Sequence, residues 1–377
     1  MKNILVLGGG MVGGAIIRDL AKDNAVKVID RDKKIIDSFS DLKTVKTIPG
    51  DVTDSSFLKE YSSDTDIIVS AVPGFLGFKI LKNIIALGKN VVDISFFSED
   101  PFELDELAIK NNVTAVVDCG IAPGMSNIIL GWHNKLMGIK SFECLVGGLP
   151  FKRSWPFQYK APFSPIDVIE EYTRPARIVQ NGKVIVKPAL SGLELVDIPT
   201  VGTLEAFNTD GLRTLLKTMK IPEMKEKTLR YPGHTEYMKM LRETGFFGSK
   251  EINVNGKMIA PLELTSKLLF PLWKLEKDEE EFTVLKIIIS GKEENKEVRY
   301  EYNLFDQFDS NTKTSSMARS TGYTCTAVVR QVLNNNFTRK GICPPEYVGT
   351  EDNCYSMIME ELKSKGIIYS VIKEEIK

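Results

Sequence analysis

Histidine is nearly absent from this chain: 377 residues contain two, His133 and His234, far apart in sequence. Its five cysteines (Cys119, Cys144, Cys325, Cys343 and Cys354) are odd in number, scattered, and never form a Cys-x-x-Cys pair. A disulfide framework and a structural zinc both need closely patterned ligands, so neither is expected. With so few histidines no catalytic metal is expected either. A dominant charge is lacking too. Lys and Arg total 49 and Asp and Glu 50, a net charge of −1, which argues against nucleic acid and against a charged membrane surface as partners. Long apolar runs are missing: the most apolar stretch, Ile67 to Leu87, is broken by Pro73, Gly74, Gly77, Lys79 and Lys82. It reads as a buried strand and a helix, not a membrane span. The chain begins at once with a strand, Ile4–Leu7, so no signal peptide and a cytoplasmic location are expected. Repeats and low-complexity segments are also absent.

What is present is the composition of a soluble globular protein, 43% hydrophobic and 26% charged. The length suits two domains better than one. In the first third, β-branched apolar runs recur at Ile4–Leu7, Val26–Ile29, Val45–Ile48, Ile67–Ala71, Val91–Ile94 and Val113–Val117. Segments of helical spacing separate most of them. Apolar strands alternating with helices mean a parallel sheet covered on both faces.

The first strand runs into Gly8-Gly9-Gly10-Met11-Val12-Gly13. A G-x-G-x-x-G match is weak alone, but between a strand and a helix it gains a mechanism. Gly8 permits the tight turn, Gly10 lets backbone approach a pyrophosphate, and Gly13 lets the helix pack closely on the strand. The helix N-terminus then offers N–H groups and partial positive charge to the phosphates. Asp30 ends the second strand twenty residues after Gly10, where a carboxylate accepts from ribose hydroxyls and repels a 2′-phosphate. That favours NAD, although Arg31 beside it can reach a phosphate. Asp51-Val52 after the third strand, Ala71-Val72-Pro73 after the fourth and Asp93 at the fifth complete the candidate cofactor contacts. Thr53 or Asp54 can equally be a helix N-cap there. The architecture expected is a doubly wound Rossmann sheet over residues 1–118.

Asp118 ends the sixth strand, before the Gly120-Ile121-Ala122-Pro123-Gly124 turn. It is a candidate catalytic or orienting carboxylate, or a cap of that turn. Beyond Pro150 the pattern changes. Arg177–Val179 and Val184–Val186 flank Asn181-Gly182, a hairpin signal. Leu193–Ile198, Leu204–Phe207, Phe282–Ser290 and Val298–Phe305 continue the strands, and a helix-rich stretch from about 211 to 272 interrupts them. Residues 119–312 are therefore expected to form an α+β substrate and dimerisation domain with a largely antiparallel sheet. Residues 313–377 read as C-terminal helices, Met317–Leu333 and Tyr355–Lys365, with a last strand at Ile367–Val371.

Together these residues resemble the saccharopine dehydrogenase-like family, and within it the L-lysine 6-dehydrogenases. The marks include Ala122-Pro123-Gly124-Met125-Ser126-Asn127, Gly147-Gly148-Leu149-Pro150, Tyr159-Lys160 and Glu171-Tyr172-Thr173-Arg174-Pro175-Ala176. Asn208 to Leu212, Arg230-Tyr231-Pro232-Gly233-His234 and Ser315 to Arg319 follow. The resemblance spans nearly the whole chain. It implies NAD-dependent oxidative deamination at the ε-carbon of L-lysine, with a semialdehyde that cyclises to a piperideine carboxylate, ammonia and NADH as products. It also implies a homodimer or larger homo-oligomer through the second domain, and C-terminal helices that return to the first.

Such an oxidation needs the nitrogen lone pair, while a free lysine amine has a pKa of about 10.4. A group must therefore accept its proton. Asp118, a desolvated Lys160, and His234 are the candidates. Tyr159, Arg174, Arg230 and Arg319 are candidate substrate contacts, the arginines for the α-carboxylate. Arg174 can instead pair with Glu170. A glutamate-forming saccharopine dehydrogenase, a related reductase and a non-catalytic NAD-binding sensor are the alternatives.

Overall fold

Runs that are apolar on both faces are satisfied only inside a covered sheet, and the first third builds one. The computed structural model describes residues 1–276 and 278–376. Its first stretch runs β1 (Asn3–Leu7), α1 (Met11–Leu20), β2 (Ala25–Asp30), α2 (Lys33–Asp37), β3 (Val45–Pro49), α3 (Ser55–Ser62), β4 (Ile67–Ser70) and α4 (Gly74–Ala86). It continues with β5 (Val91–Asp93), α5 (Asp105–Lys110), β6 (Thr114–Val116) and α6 (Met125–Leu136). The strands are parallel in the order β6-β5-β4-β1-β2-β3, so the winding reverses between β1 and β4. The crevice at such a reversal is where this fold takes its ligands. Leu5, Leu7, Ile29, Ile68, Ile80 and Val91 form the core on one face.

The second stretch runs β7 (Gly138–Pro150), α7 (Pro165–Thr173), β8 (Ala176–Gln180), β9 (Lys183–Lys187), β10 (Glu194–Ile198), β11 (Gly202–Asn208), α8 (Leu215–Thr218), β12 (Glu223–Arg230) and α9 (His234–Glu243). Then come β13 (Ile252–Val254), β14 (Lys257–Ile259), α10 (Pro261–Trp273), β15 (Glu281–Glu293) and β16 (Lys296–Gln307). The tail holds α11 (Ser316–Leu333), β17 (Gly341–Cys343), α12 (Pro345–Gly349), α13 (Asp352–Ser364) and β18 (Tyr369–Glu375).

The chain divides into two compact units, Met1–Leu136 with Met317–Ile368, and Met137–Ser316 with Tyr369–Lys377. The first compact unit takes in α6. The reason is close helix packing: a Cβ on Gly131 would sit 2.1 Å from Glu346 O, and one on Gly349 2.0 Å from Ile128 O. Only glycine lets α6 and α12 approach in this way. The C-terminal segment joins the first unit, where β17 adds a seventh parallel strand beside β6. Its last strand does not, because β18 pairs with β16 from Leu304↔Tyr369 to Val298↔Glu375.

The second unit carries a nine-stranded sheet, with β10-β11-β12-β7-β15-β16-β18 in order and β8 and β9 off its path. Asn181 and Gly182 turn the β8–β9 hairpin with φ of 51° and 73°, the backbone a two-residue hairpin demands. The stretch expected to be helical contains β12, parallel to β7 in mid-sheet. Its charges resemble a solvated helix in sequence, but they are met by distant partners: Lys225 by Glu143 at 2.8 Å and Lys227 by Glu194 at 2.6 Å. Among the described residues no helix is long and apolar enough to cross a membrane.

Candidate active site

The glycine turn shows a division of labour. Gly8 has φ +93°, and a Cβ there would meet Ala71 O at 2.5 Å; one on Gly13 would meet Gly8 O at 2.1 Å. Gly10 is the opposite case, facing open space at the N-cap of α1. No side chain caps that helix and its first turn holds no acid, so its N–H groups remain available to an anion. Met11 is exposed and Val12 half-buried beside them. Asp30, half-buried, accepts from Gly9 N–H at 2.8 Å and from Asp32 N–H at 2.9 Å. Each carboxylate oxygen keeps a second lone pair for a ribose hydroxyl. Arg31 is exposed. Asp51 accepts from Thr53 N–H and Oγ1, which holds its pKa below the ordinary value, and Val52 is in the core. Ala71 abuts Gly8, Val72 is buried and Pro73 starts α4. These residues fit a dinucleotide laid across the reversal.

Two buried acids stand at neighbouring strand ends of this sheet, Asp93 and Asp118. Asp93 is fully buried and accepts from Ser95 N–H at 3.0 Å and Ser95 Oγ at 2.9 Å. Burial pushes its pKa up to about 7, with the charge of nearby Asp118 adding to the rise and Ser95 opposing it. Asp118 is 3% exposed and has φ +54°, a left-handed backbone rare outside glycine. Cys119 N–H donates to Asp93 O at 2.9 Å, which fastens the two strand ends together. Gly124, at φ +136°, leaves no room for a Cβ, which would lie 1.9 Å from Gly120 O. Arg319, on α11 in the same unit, donates to Lys365 O at 3.1 Å and has its guanidinium 5.7 Å from the Tyr323 ring centre.

The second unit assembles a different site from α7, β12 and α9. Arg230, 2% exposed at the end of β12, pairs with Glu171 at 2.5 Å. Its Nε donates to Tyr172 Oη at 3.1 Å, its Nη1 to Leu229 O at 2.9 Å and its Nη2 to Tyr159 Oη at 3.4 Å. The guanidinium stacks 4.4 Å from the Tyr159 ring centre, a cation–π contact. Gly233 turns with φ +95° so that His234 begins α9. His234 Nε2 lies 2.9 Å from Tyr172 Oη, and Nδ1 lies 2.9 Å from Phe157 O. A carbonyl only accepts, so Nδ1 carries the proton and Nε2 accepts from Tyr172. Burial, and then the Arg230 charge, press the His234 pKa down to about 3, which keeps the ring neutral. Glu205 of β11 caps α9 by accepting from Gly233 N–H at 2.9 Å and Thr235 N–H at 2.5 Å. Trp273 closes the cluster, edge-on to Tyr159 at 5.6 Å and to Phe157 at 5.9 Å.

Of the residues singled out in this unit, Tyr159, Arg230 and His234 come together. Lys160 faces elsewhere: its ammonium donates to Lys274 O at 3.0 Å with Glu279 3.9 Å away. Arg174 pairs with Glu170 at 3.1 Å, the alternative that helical spacing allowed. Tyr172, Glu171 and Trp273 were not anticipated. Tyr172 and Glu171 stood in a quoted motif without a role, while Trp273, over a hundred residues from Tyr159, left no signal.

The fold and the glycine turn define a two-unit protein with a nucleotide-binding domain. The Saccharopine dehydrogenase NADP binding domain matches residues 4–116, and the Saccharopine dehydrogenase C-terminal domain matches residues 117–367. The chain belongs to the saccharopine dehydrogenase family. It is 29% identical over 258 residues to an alpha-aminoadipic semialdehyde synthase of Arabidopsis thaliana, covering 63% of this chain and 24% of that protein. It is 28% identical over 276 residues to a saccharopine dehydrogenase [NADP(+), L-glutamate-forming] of Saccharomyces cerevisiae, covering 69% and 61%. The chain thus spans less than two thirds of each relative's length. The apo saccharopine dehydrogenase (L-Glu forming) structure from Saccharomyces cerevisiae superposes with TM-score 0.80 at 22% identity, covering 99% of this chain and 100% of that one. The homospermidine synthase of Legionella pneumophila in complex with NAD gives 0.68 at 13% identity, covering 100% and 91%. Both establish the fold.

Proposed function

We propose that the protein is an NAD-dependent amino-acid dehydrogenase acting at a C–N bond, and that its substrate is L-lysine, oxidised at the ε-carbon. The family supports the reaction class; its relatives' names speak of NADP and of L-glutamate formation. Asp30 supports NAD here, since a 2′-phosphate at the end of β2 would meet like charge. The turn from Gly8 to Gly13 and the N-terminus of α1 would hold the pyrophosphate, and Asp30 the ribose. NAD supplies the hydride acceptor. The protein's own task is to free the ε-amine of its proton, and Asp118 is the group proposed to accept it.

The charge balance of the second unit carries the choice of lysine. Arg230 is paired with Glu171, Arg174 with Glu170 and Arg177 with Asp210 at 2.8 Å. Saccharopine brings three carboxylates, and these arginines are already neutralised. A cationic substrate with one carboxylate suits such a site better. The relatives' names favour saccharopine as the second reading. Mixing the protein at alkaline pH with lysine or saccharopine, each with NAD or NADP, and following nicotinamide absorbance decides among them. Lysine with NAD is expected to turn over fastest. Faster turnover of saccharopine installs the second reading, and none with either substrate leaves a nucleotide-binding sensor.

A further inference from the structure

The turn that follows Asp118 is held by more than its own backbone. Asp118 O accepts from Gly120 N–H at 3.0 Å, and Gly120 O accepts from Met125 N–H at 3.0 Å. Gly124 N–H donates to Asn127 Oδ1 at 3.4 Å, and Ser126 Oγ donates to the same oxygen at 3.0 Å. An N–H only donates, so the amide oxygen of Asn127 faces the turn and its Nδ2 faces away. There Nδ2 donates to Glu346 Oε2 at 3.0 Å, from a residue 219 positions further along the chain. Ser126, Asn127 and Glu346 are 2%, 1% and 0% exposed. Glu346 reaches this depth because its backbone carbonyl rests on Gly131 of α6, and Asn127 lies one turn earlier on the same face. An apolar side chain would fill that space between α6 and α12 at less cost, since a buried carboxylate must give up its hydration.

We propose that Glu346 is a positioning residue for the reaction: through Asn127 it fixes the turn that carries Asp118. This role rests on Asp118 being the proton acceptor. Asp118 sits at φ +54° and Gly124 at φ +136°, backbone that persists only where its surroundings hold it. Asn127 supplies that hold because a primary amide joins a donor on one side to an acceptor on the other. Glu346 decides which end faces which way. Its oxygen draws Nδ2 towards α12, and Oδ1 is then left for Gly124 and Ser126. Asp118 takes a proton efficiently only within hydrogen-bond reach of the reacting nitrogen, and a misplacement of about 1 Å can cost ~10²-fold in rate. The residues from Ala122 to Asn127 thus act with Glu346 as one unit, although the chain keeps them far apart.

Exchanging the amide and the acid tests the pair in the full chain. Asn127→Asp sets two carboxylates against each other and should lower kcat by ~10-fold or more, with NAD affinity unchanged. Adding Glu346→Gln again sets a donor opposite an acceptor, with the roles reversed, and should recover most of the loss. Cys119, buried and next to Asp118, reports on the turn itself. Its alkylation by iodoacetamide, read by peptide mass spectrometry, should quicken by ~10-fold in Asn127→Asp and slow again in the double variant. Cys144 and Cys354, buried elsewhere, should stay as slow as in the wild type. Should Asn127→Asp not fold, Ser126→Ala removes one bond to Oδ1 and should move kcat and Cys119 labelling by ~2–10-fold. Labelling that rises at all three cysteines together reflects overall stability and overturns the proposal. So does a kcat that holds in these variants while Asp118→Asn lowers it. A normal kcat in Asp118→Asn, or no turnover in the wild type, instead defeats the proton-acceptor reading, and Cys119 labelling alone then decides whether Glu346 holds the turn.

Discussion

In the first unit the turn from Gly8 to Gly13 is left open in front of α1, its N–H groups uncapped. In the second unit the Arg230, Tyr172 and His234 side chains have each nitrogen and hydroxyl bonded within the protein. The contrast reflects what each region must do. An incoming anion pays for exposed backbone donors when it arrives, so the turn stays unsatisfied until then. A buried guanidinium cannot wait, because an uncompensated charge in the interior costs several kcal/mol. The cluster is therefore preorganised, with the Tyr159 face taken by the Arg230 guanidinium and its ring packed edge-on to Trp273.

The sharpest way to break the comparison is to ask which region carries chemistry. Asp118→Asn keeps size and removes basicity; kcat should fall by ~10²–10⁴-fold with NAD affinity unchanged, read by steady-state kinetics and cofactor titration. A near-normal kcat makes Asp118 a turn residue. Arg230→Met should cost about 2–4 kcal/mol in chemical denaturation by leaving half-buried Glu171 without its partner. Adding Glu171→Gln should recover part of that loss, and no recovery shows the pair is not coupled. Gly13→Ala forces α1 away from Gly8, costing about 1–3 kcal/mol, and NAD binding should weaken with it. If binding survives unchanged, helix packing and phosphate contact are separate matters.

Two smaller effects test the acids of the first unit. Asp93 has a folded pKa of about 7, raised from an unfolded value of about 3.9. Between those values the folded state holds a proton that the unfolded state has lost. Stability from this group is therefore complete below the lower value and declines as pH rises through about 7, with a slope of the order of 1 kcal/mol per pH unit. Asp93→Asn should flatten that part of the denaturation profile, and an unchanged slope means that Asp93 is already ionised. Asp30→Ala should narrow the preference for NAD over NADP by about tenfold, the worth of one charge-assisted hydrogen bond, in matched turnover assays. If NADP already wins in the wild type, Arg31 is the reader.

Six of the seven strands of the first sheet were legible because each is a short β-branched run between helical segments, and the glycine turn because its three roles fall within six residues; β17, which comes from the C-terminal segment, was not. Asp30 was legible by its distance from Gly10 along the chain. The second site was legible only in pieces. Tyr159, Arg230 and His234 stood in separate motifs, and nothing in their spacing said that Tyr172 joins two of them. Strand β12 was hidden because its charges follow a solvated pattern until Glu143 and Glu194 are seen beside them. Lys160 was a candidate base if desolvated, but successive residues here point apart, so Tyr159 enters the cluster and the lysine meets Lys274 O.

By itself the sequence determined the class of fold, the nucleotide turn and the family, because these depend on periodicity and on contacts a few residues apart. Where the first unit ends, which candidate residues meet and which are tied up in ion pairs were decided by tertiary structure. These depend on contacts such as Gly131 with Glu346 and Arg230 with Glu171, made across separations over which chain order carries no geometric information. The exposed leucines of α10 belong to the same class. As a helical pattern they look like core, and only the fold shows that Leu269 and its row are covered while Leu268 and its row are not.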